Sequence, residues 1–200
     1  MTGVYHELDL PPNLYEVALF AGVGGGVLGT KYHLDWRTVC YVEFESYPIQ
    51  ILKARIKDGW LDDAPIWTDI RSFTKRNNQC RRFIRELRKN RNRLVVTAGF
   101  PCQPFSNAGQ RRGMDDPSNG WPHTIRLINE IRPRWVFLEN VPGLLSSMDN
   151  GAENPVGYYG TILADLAQSG YDCRWDCLPA SAIGGNHQRD RLWVVAHANG

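Results

Sequence analysis

Glu16-Val17-Ala18-Leu19-Phe20-Ala21-Gly22-Val23-Gly24-Gly25-Gly26-Val27-Leu28-Gly29 is an apolar run that breaks into glycines and then turns apolar again. A short strand, a glycine turn and a helix in immediate succession open a nucleoside-binding α/β sheet. Glycine is needed there because the ligand approaches backbone that a Cβ would block. Gly24, Gly26 and Gly29 have the dinucleotide-fingerprint spacing. Glu43 follows at the end of the next expected strand, where a carboxylate accepts hydrogen bonds from ribose hydroxyls. A purely structural tight turn is the bland alternative. The motif does not separate NAD from S-adenosylmethionine, because both carry an adenosine ribose.

Outward from this turn, β-rich runs alternate with amphipathic segments, which predicts a mostly parallel sheet covered by helices on both faces. Strands are expected at residues 16–20, 38–42, 94–98, 135–138, 171–178 and 192–196. Helices are expected at 27–33, 47–57, 74–89, 124–131 and 159–168. Thr68-Asp69-Ile70 reads as the terminus of a further strand, with Asp69 where an adenine amino group could be met, although a loop Asp is commonly a turn or cap residue. Two long loops rich in turn formers, 101–122 and 142–157, are of the kind that serves binding or catalysis. Residues 1–15 read as a leader and 16–200 as one α/β domain.

The composition is ordinary for a globular chain of 200 residues, with 42% apolar and 22% charged residues. No apolar run reaches the roughly 20 residues of a membrane span, and the amino terminus lacks a secretion-signal pattern, so a cytoplasmic protein is expected. The net charge of +2 says little about partners, but its distribution says more. Residues 71–93 hold ten cations and one acid, Glu86. That segment is either a phosphate-facing stripe or a solvated helix face. Five cysteines without a signal peptide argue against a disulfide framework. Cys173-x-x-x-Cys177 has no second ligand pair for zinc, and on a strand Cys173, Trp175 and Cys177 would share one buried apolar face.

Directly after the Leu94-Val95-Val96 strand comes Ala98-Gly99-Phe100-Pro101-Cys102-Gln103-Pro104-Phe105-Ser106. Ligands in open α/β sheets lie beyond the carboxyl ends of the strands, so Cys102 falls where chemistry is expected. The prolines around it restrict the loop. Such a thiol is reactive where nearby cations favour the thiolate, and inert where it is buried.

Gly-Phe-Pro-Cys-Gln-Pro-Phe-Ser at 99–106 resembles the catalytic motif of the DNA cytosine-5 methyltransferases of bacterial and phage type. Three further segments agree in order. Phe20 to Gly25 looks like the family's cofactor loop, Glu139-Asn140-Val141 its Glu-Asn-Val motif, and Gln188-Arg189-Asp190-Arg191 its Gln-x-Arg-x-Arg signature shortened by one position. The resemblance spans residues 16–196. It implies a Rossmann-like fold that uses S-adenosylmethionine and acts on double-stranded DNA within a restriction-modification or phage modification system. Cys102 would add to C6 of a flipped-out cytosine, Glu139 would act at N3, and Arg189 and Arg191 would hold the base and backbone. Phe20, Gly22, Gly24, Glu43, Phe44, Asp69, Ile70, Pro101 and Trp121 would surround the cofactor.

Ala18 stands where the family usually has Asp, and His187 where it usually has Gln. By the same resemblance, the target-recognition region and last two motifs would lie beyond Gly200, which predicts weak activity alone and a complementing carboxyl-terminal segment or subunit as partner. An inactive fragment or one half of a split enzyme is the alternative function. An NAD-dependent oxidoreductase would leave the 99–106 and 139–141 motifs without a role. Methyltransferases acting on transfer RNA share the core motifs.

Overall fold

The computed structural model describes residues 13–101, 119–146 and 157–199. Among them the strands form one seven-stranded sheet, ordered β3-β2-β1-β4-β5-β7-β6. β1 (Tyr15–Leu19), β2 (Arg37–Val42), β3 (Ile66–Trp67), β4 (Leu94–Ala98) and β5 (Trp135–Asn140) run parallel. β7 (Arg191–Ala198) lies antiparallel between β5 and β6 (Tyr171–Leu178). β1 and β4 are covered on both faces, which is why they read as near-continuous apolar runs.

The helices divide between the faces. α1 (Gly25–Leu34) and α2 (Ser46–Lys57) pack Val27 and Leu52 against Ala18 and Tyr41. On the other face α3 (Arg81–Lys89), α4 (Trp121–Ile131) and α5 (Tyr158–Gln168) bury Ile84, Leu127, Ile128, Ile162 and Leu166 over Val96, Val136, Leu138 and Val194. This is the α/β arrangement with helices on both faces that the alternating pattern predicts. β5 shows the asymmetry between the faces. Val136, Leu138 and Asn140 are buried, while Trp135, Phe137 and Glu139, pointing to the α1 side, are only half covered.

Two expectations need correction. The helix expected from residue 74 begins at Arg81, because side chains hold residues 74–80 in turns. Asn77 Nδ2 donates to the Ser72 carbonyl, Asn77 Oδ1 accepts from Gln79 N–H, and Glu130 accepts from Thr74 Oγ1 and Lys75 N–H. Such local side-chain bonds compete with helix formation. The expected buried row on β6 is only partly covered: Cys173 and Cys177 pack at the core margin, but Trp175 is 51% exposed.

Candidate functional site

After β1 the chain builds outward through β2 and β3, then returns to place β4 on the other side of β1. The carboxyl ends of β1 and β4 therefore flank the switch point, where open α/β sheets leave a crevice. Phe20 to Gly24 leave β1 at this end, and Gly99 to Pro101 leave β4 beside them.

The first turn is fixed by one carboxylate. Glu43, 8% exposed, accepts from Gly22 N–H at 2.7 Å through Oε2 and from Phe44 and Glu45 N–H at 2.9 Å each through Oε1. It thus ties the end of β2 to the loop after β1. Gly24 caps α1 at φ 84°, a conformation that favours glycine, and a Cβ there would also crowd Leu61 Cδ1 at 2.8 Å. Gly26 and Gly29 differ, since a Cβ on either meets only open space.

At the third strand end, Asp69 is held by Arg71, whose Nε donates at 2.9 Å and whose backbone N–H donates at 2.9 Å. These bonds keep the Asp69 carboxyl below its ordinary range. The Arg71 guanidinium lies 5.6 Å from the ring centre of Phe44, an exposed side chain. Ile70 is buried beneath them.

The loop after β4 is anchored from two sides. Asn140 Nδ2 donates to the Phe100 carbonyl at 3.1 Å. A Cβ on Gly120 would lie 2.8 Å from Phe20 Cζ and 3.0 Å from Pro101 Cδ, so glycine there leaves room for both loops to approach it. Trp121 is buried rather than open to the crevice. Its ring packs 5.5 Å from Phe100 and its Nε1 donates to Asp165. Cys102 lies outside the described residues.

Glu139, the penultimate residue of β5, lies next to Gly99, with Oε2 3.1 Å from where a Cβ on Gly99 would stand. Arg191, at the start of β7, pairs with it at 2.6 Å. Arg189 is exposed and, with Glu139 and Arg191, lines a cavity of about 710 Å³ between α1 and the sheet. The cavity is also lined by Gly26, Gly29, Thr30, His33, Phe137 and Trp193, the last two stacked at 5.2 Å.

Among the residues lining that cavity is a buried carboxylate to which sequence reasoning assigned no role. Glu16 is 1% exposed and accepts hydroxyl bonds from Thr97 at 2.7 Å and from Thr30 and Thr38 at 2.9 Å. Burial raises its carboxyl above the ordinary 4.5, although the three hydroxyls oppose the shift. A raised carboxyl binds its proton more readily folded than unfolded. The stability this contributes is full below about 4.5 and is lost as pH climbs through the folded value. We predict that Glu16→Gln, which cannot ionise, gains melting temperature relative to the parent as pH rises from 4.5. Thermal melts at a series of pH values check this, and a constant difference would refute it.

Sequence reasoning also missed Asn140 and Gly120. Asn140 was visible inside Glu139-Asn140-Val141, and its amide is buried at a strand end. Gly120 was visible only as a turn residue before Trp121.

The C-5 cytosine-specific DNA methylase family model matches residues 15–200. The chain belongs to this family. Among its relatives, the type II methyltransferase M.NgoMIV of Neisseria gonorrhoeae is 33% identical over 184 residues, 92% of this chain and 52% of the relative. The type II methyltransferase M.CviJI of Paramecium bursaria Chlorella virus IL3A is 31% identical over 182 residues, 89% of this chain and 41% of the relative. The chain thus spans about half or less of the length of the curated relatives it matches. The fold is shared with the S. pombe Dnmt2 methyltransferase, at a TM-score of 0.67 and 19% identity over 94% of this chain and 52% of that one. It is also shared with the Entamoeba histolytica methyltransferase EhMeth, at 0.66 and 17% over 95% and 54%. The methylase sheet, mostly parallel with helices on both faces, is therefore the one expected from the sequence.

Proposed function

We propose that this chain carries the catalytic half of a DNA cytosine-5 methyltransferase, serving a restriction-modification or phage modification system in the cytoplasm of the host cell. The observation that carries the reading is the convergence at one end of the sheet: the Glu139–Arg191 pair beside Gly99, and Asn140 holding the Phe100 carbonyl two residues before Cys102. Family membership supports the reaction class.

The residues present fit S-adenosylmethionine. Gly22 and Gly24 shape a close-approach turn, Glu43 offers a carboxylate for ribose hydroxyls, and Phe44, Asp69 and Ile70 form the adenine side. Phe20 and Pro101, both close against Gly120, would border the reacting end, with Trp121 packed against Phe100. When bound, the cofactor supplies an electrophilic methyl group. The protein's task is to make cytosine C5 nucleophilic enough to accept it. The Cys102 thiolate adds to C6 and opens the C5–C6 double bond, while Glu139, oriented by Arg191, supplies a proton or hydrogen bond at N3. Loss of the C5 proton and expulsion of the thiolate restore the aromatic ring. The ring face is inaccessible in a stacked duplex, so the target base must be flipped, with Arg189 and Arg191 holding it.

The half-covered aromatic face of Phe137, Trp193 and Trp135 favours a complementing carboxyl-terminal polypeptide as a partner, since apolar surface of this kind is stabilised by burial. The test is transfer of tritiated methyl to several duplexes by the chain alone and with the carboxyl-terminal half of a relative. Site-specific methylation is expected only in the mixture. Robust, site-specific methylation by the lone chain would remove the partner from the reading, and no methylation in either with no cofactor binding would reject the reading itself.

Glu43→Ala is expected to weaken S-adenosylhomocysteine binding by one to two decades. Hydrogen bonds to a charged group contribute about 1.5–3 kcal/mol, and the glycine turn would also lose its anchor. Unchanged affinity by calorimetry would remove Glu43 from the site.

A further inference from the structure

Residues 81–93 carry seven cations and one acid, a net +6 in a chain whose total is +2, which leaves −4 for the rest. The fold displays this charge rather than neutralising it. Ile84 and Leu87 turn inward from α3, while Arg81, Arg82, Arg85 and Lys89 are exposed on the opposite side. Some cations have local roles. Lys89 pairs with Glu86, Arg88 donates to the Glu130 carbonyl, and Arg93 donates to the Asn13 carbonyl over the Tyr15 ring. Among the described residues no acceptor meets the side chains of Arg82, Arg85 or Arg91.

The position of this face matters. α3 starts close to the third strand end, where Cys80 Sγ reaches the Ser72 and Thr74 carbonyls. It ends at Arg91–Arg93, the turn that leads into the amino-terminal end of β4. The cations therefore run down the flank of the domain, away from the crevice at the other end of β1 and β4. We propose that this flank is a second nucleic-acid contact, which holds the phosphate backbone of duplex DNA without reading bases. A nine-residue helix is about 13.5 Å long, and a duplex beside it presents about eight phosphate charges over that length. The partner follows from charge: a line of unpaired guanidinium groups suits a regular polyanion, because arginine makes bidentate bonds to phosphate. Such a contact keeps the enzyme on DNA between target sites.

The inference rests on the DNA-methyltransferase reading, and the experiment separates the two. Binding of a fluorescent 30-bp duplex (about three helical turns) would be measured by anisotropy across a salt series for the 200-residue chain and for two double variants. Arg82→Glu with Arg85→Glu reverses the α3 flank. Lys53→Glu with Lys57→Glu makes the same change in net charge at exposed positions on α2. Circular dichroism and S-adenosylhomocysteine calorimetry confirm that each variant folds and keeps its cofactor site. The α3 variant is expected to lose at least about tenfold in affinity at 0.1 M salt, with the slope of log K against log salt shallower by about 1.8. The α2 variant should change less than about twofold. Equal losses in both variants, or none in the α3 variant, would overturn the inference while leaving cofactor binding intact. A parent chain that binds neither duplex nor S-adenosylhomocysteine would overturn the underlying reading as well.

Discussion

Cys102→Ala is expected to abolish methyl transfer in the reconstituted enzyme, on the order of 10⁴-fold or more, and to abolish covalent trapping on a duplex containing 5-fluorocytosine. The trap works because fluorine at C5 cannot leave as a proton, so the cysteine–C6 bond persists. Two features of the described residues support this expectation. The backbone just before Cys102 is held by Asn140 at the Phe100 carbonyl, and Pro101 and Phe20 both lie close against Gly120. Other thiols are poor candidates on chemical grounds. Burial pushes Cys40 up to about 12 and Cys173 up to about 11, and raises Cys177 as well, so all three remain thiols at neutral pH. The check is a denaturing gel of enzyme–duplex adduct together with tritium transfer. A stable adduct formed by the alanine variant would show that another residue attacks C6.

The sheet and its helices were largely legible because their signals are local. The 16–29 run holds a buried strand and a glycine turn, and Leu94 to Ala98 is apolar enough to require cover on both faces. The start of α3 was not legible, because what ends helicity at 74–80 is a set of bonds that includes Glu130, more than fifty residues away. β6 was misread for a related reason. Alternation predicts which residues share a face, but Trp175 stays half-exposed because cover depends on what packs there.

Within the candidate site, sequence reasoning singled out residues that announce themselves by type: the carboxylates Glu43, Asp69 and Glu139, and the arginines Arg189 and Arg191. It assigned no role to residues that act by shape or by bonds to backbone. Gly120 matters because Phe20 and Pro101 lie close against it, Asn140 because its amide reaches the next loop, and Glu16 because three threonines from α1, β2 and β4 converge on it. Those relations exist only once distant segments are brought together. The fingerprint glycines show the converse. Gly24 is favoured by its φ and crowded by Leu61, while Gly26 and Gly29 face the open cavity, so a single motif mixes one sterically constrained position with two that leave room.

Glu139→Gln is the second large effect expected, a loss of about 10²–10³-fold in the chemical step, which matches removal of a group that stabilises charge developing in the transition state. The substitution preserves volume and one carbonyl acceptor, so it isolates the loss of a titratable carboxyl from the loss of packing. Its structural cost should be small. The Glu139 side chain is 35% exposed and Arg191 20%, and a partly solvated pair contributes at most about 1 kcal/mol. The two magnitudes decide between roles. If Glu139 acts at N3, single-turnover methylation falls by two to three decades while the melting temperature moves by only a few degrees, and S-adenosylhomocysteine affinity is unchanged. If it only braces β5 against β7 through Arg191, activity and melting temperature fall together, and Arg191→Lys reproduces the deficit. Measuring the single-turnover rate, the thermal midpoint and cofactor affinity on the same preparations separates these outcomes. Parallel collapse of rate and stability would assign Glu139 to the sheet and leave N3 without a partner.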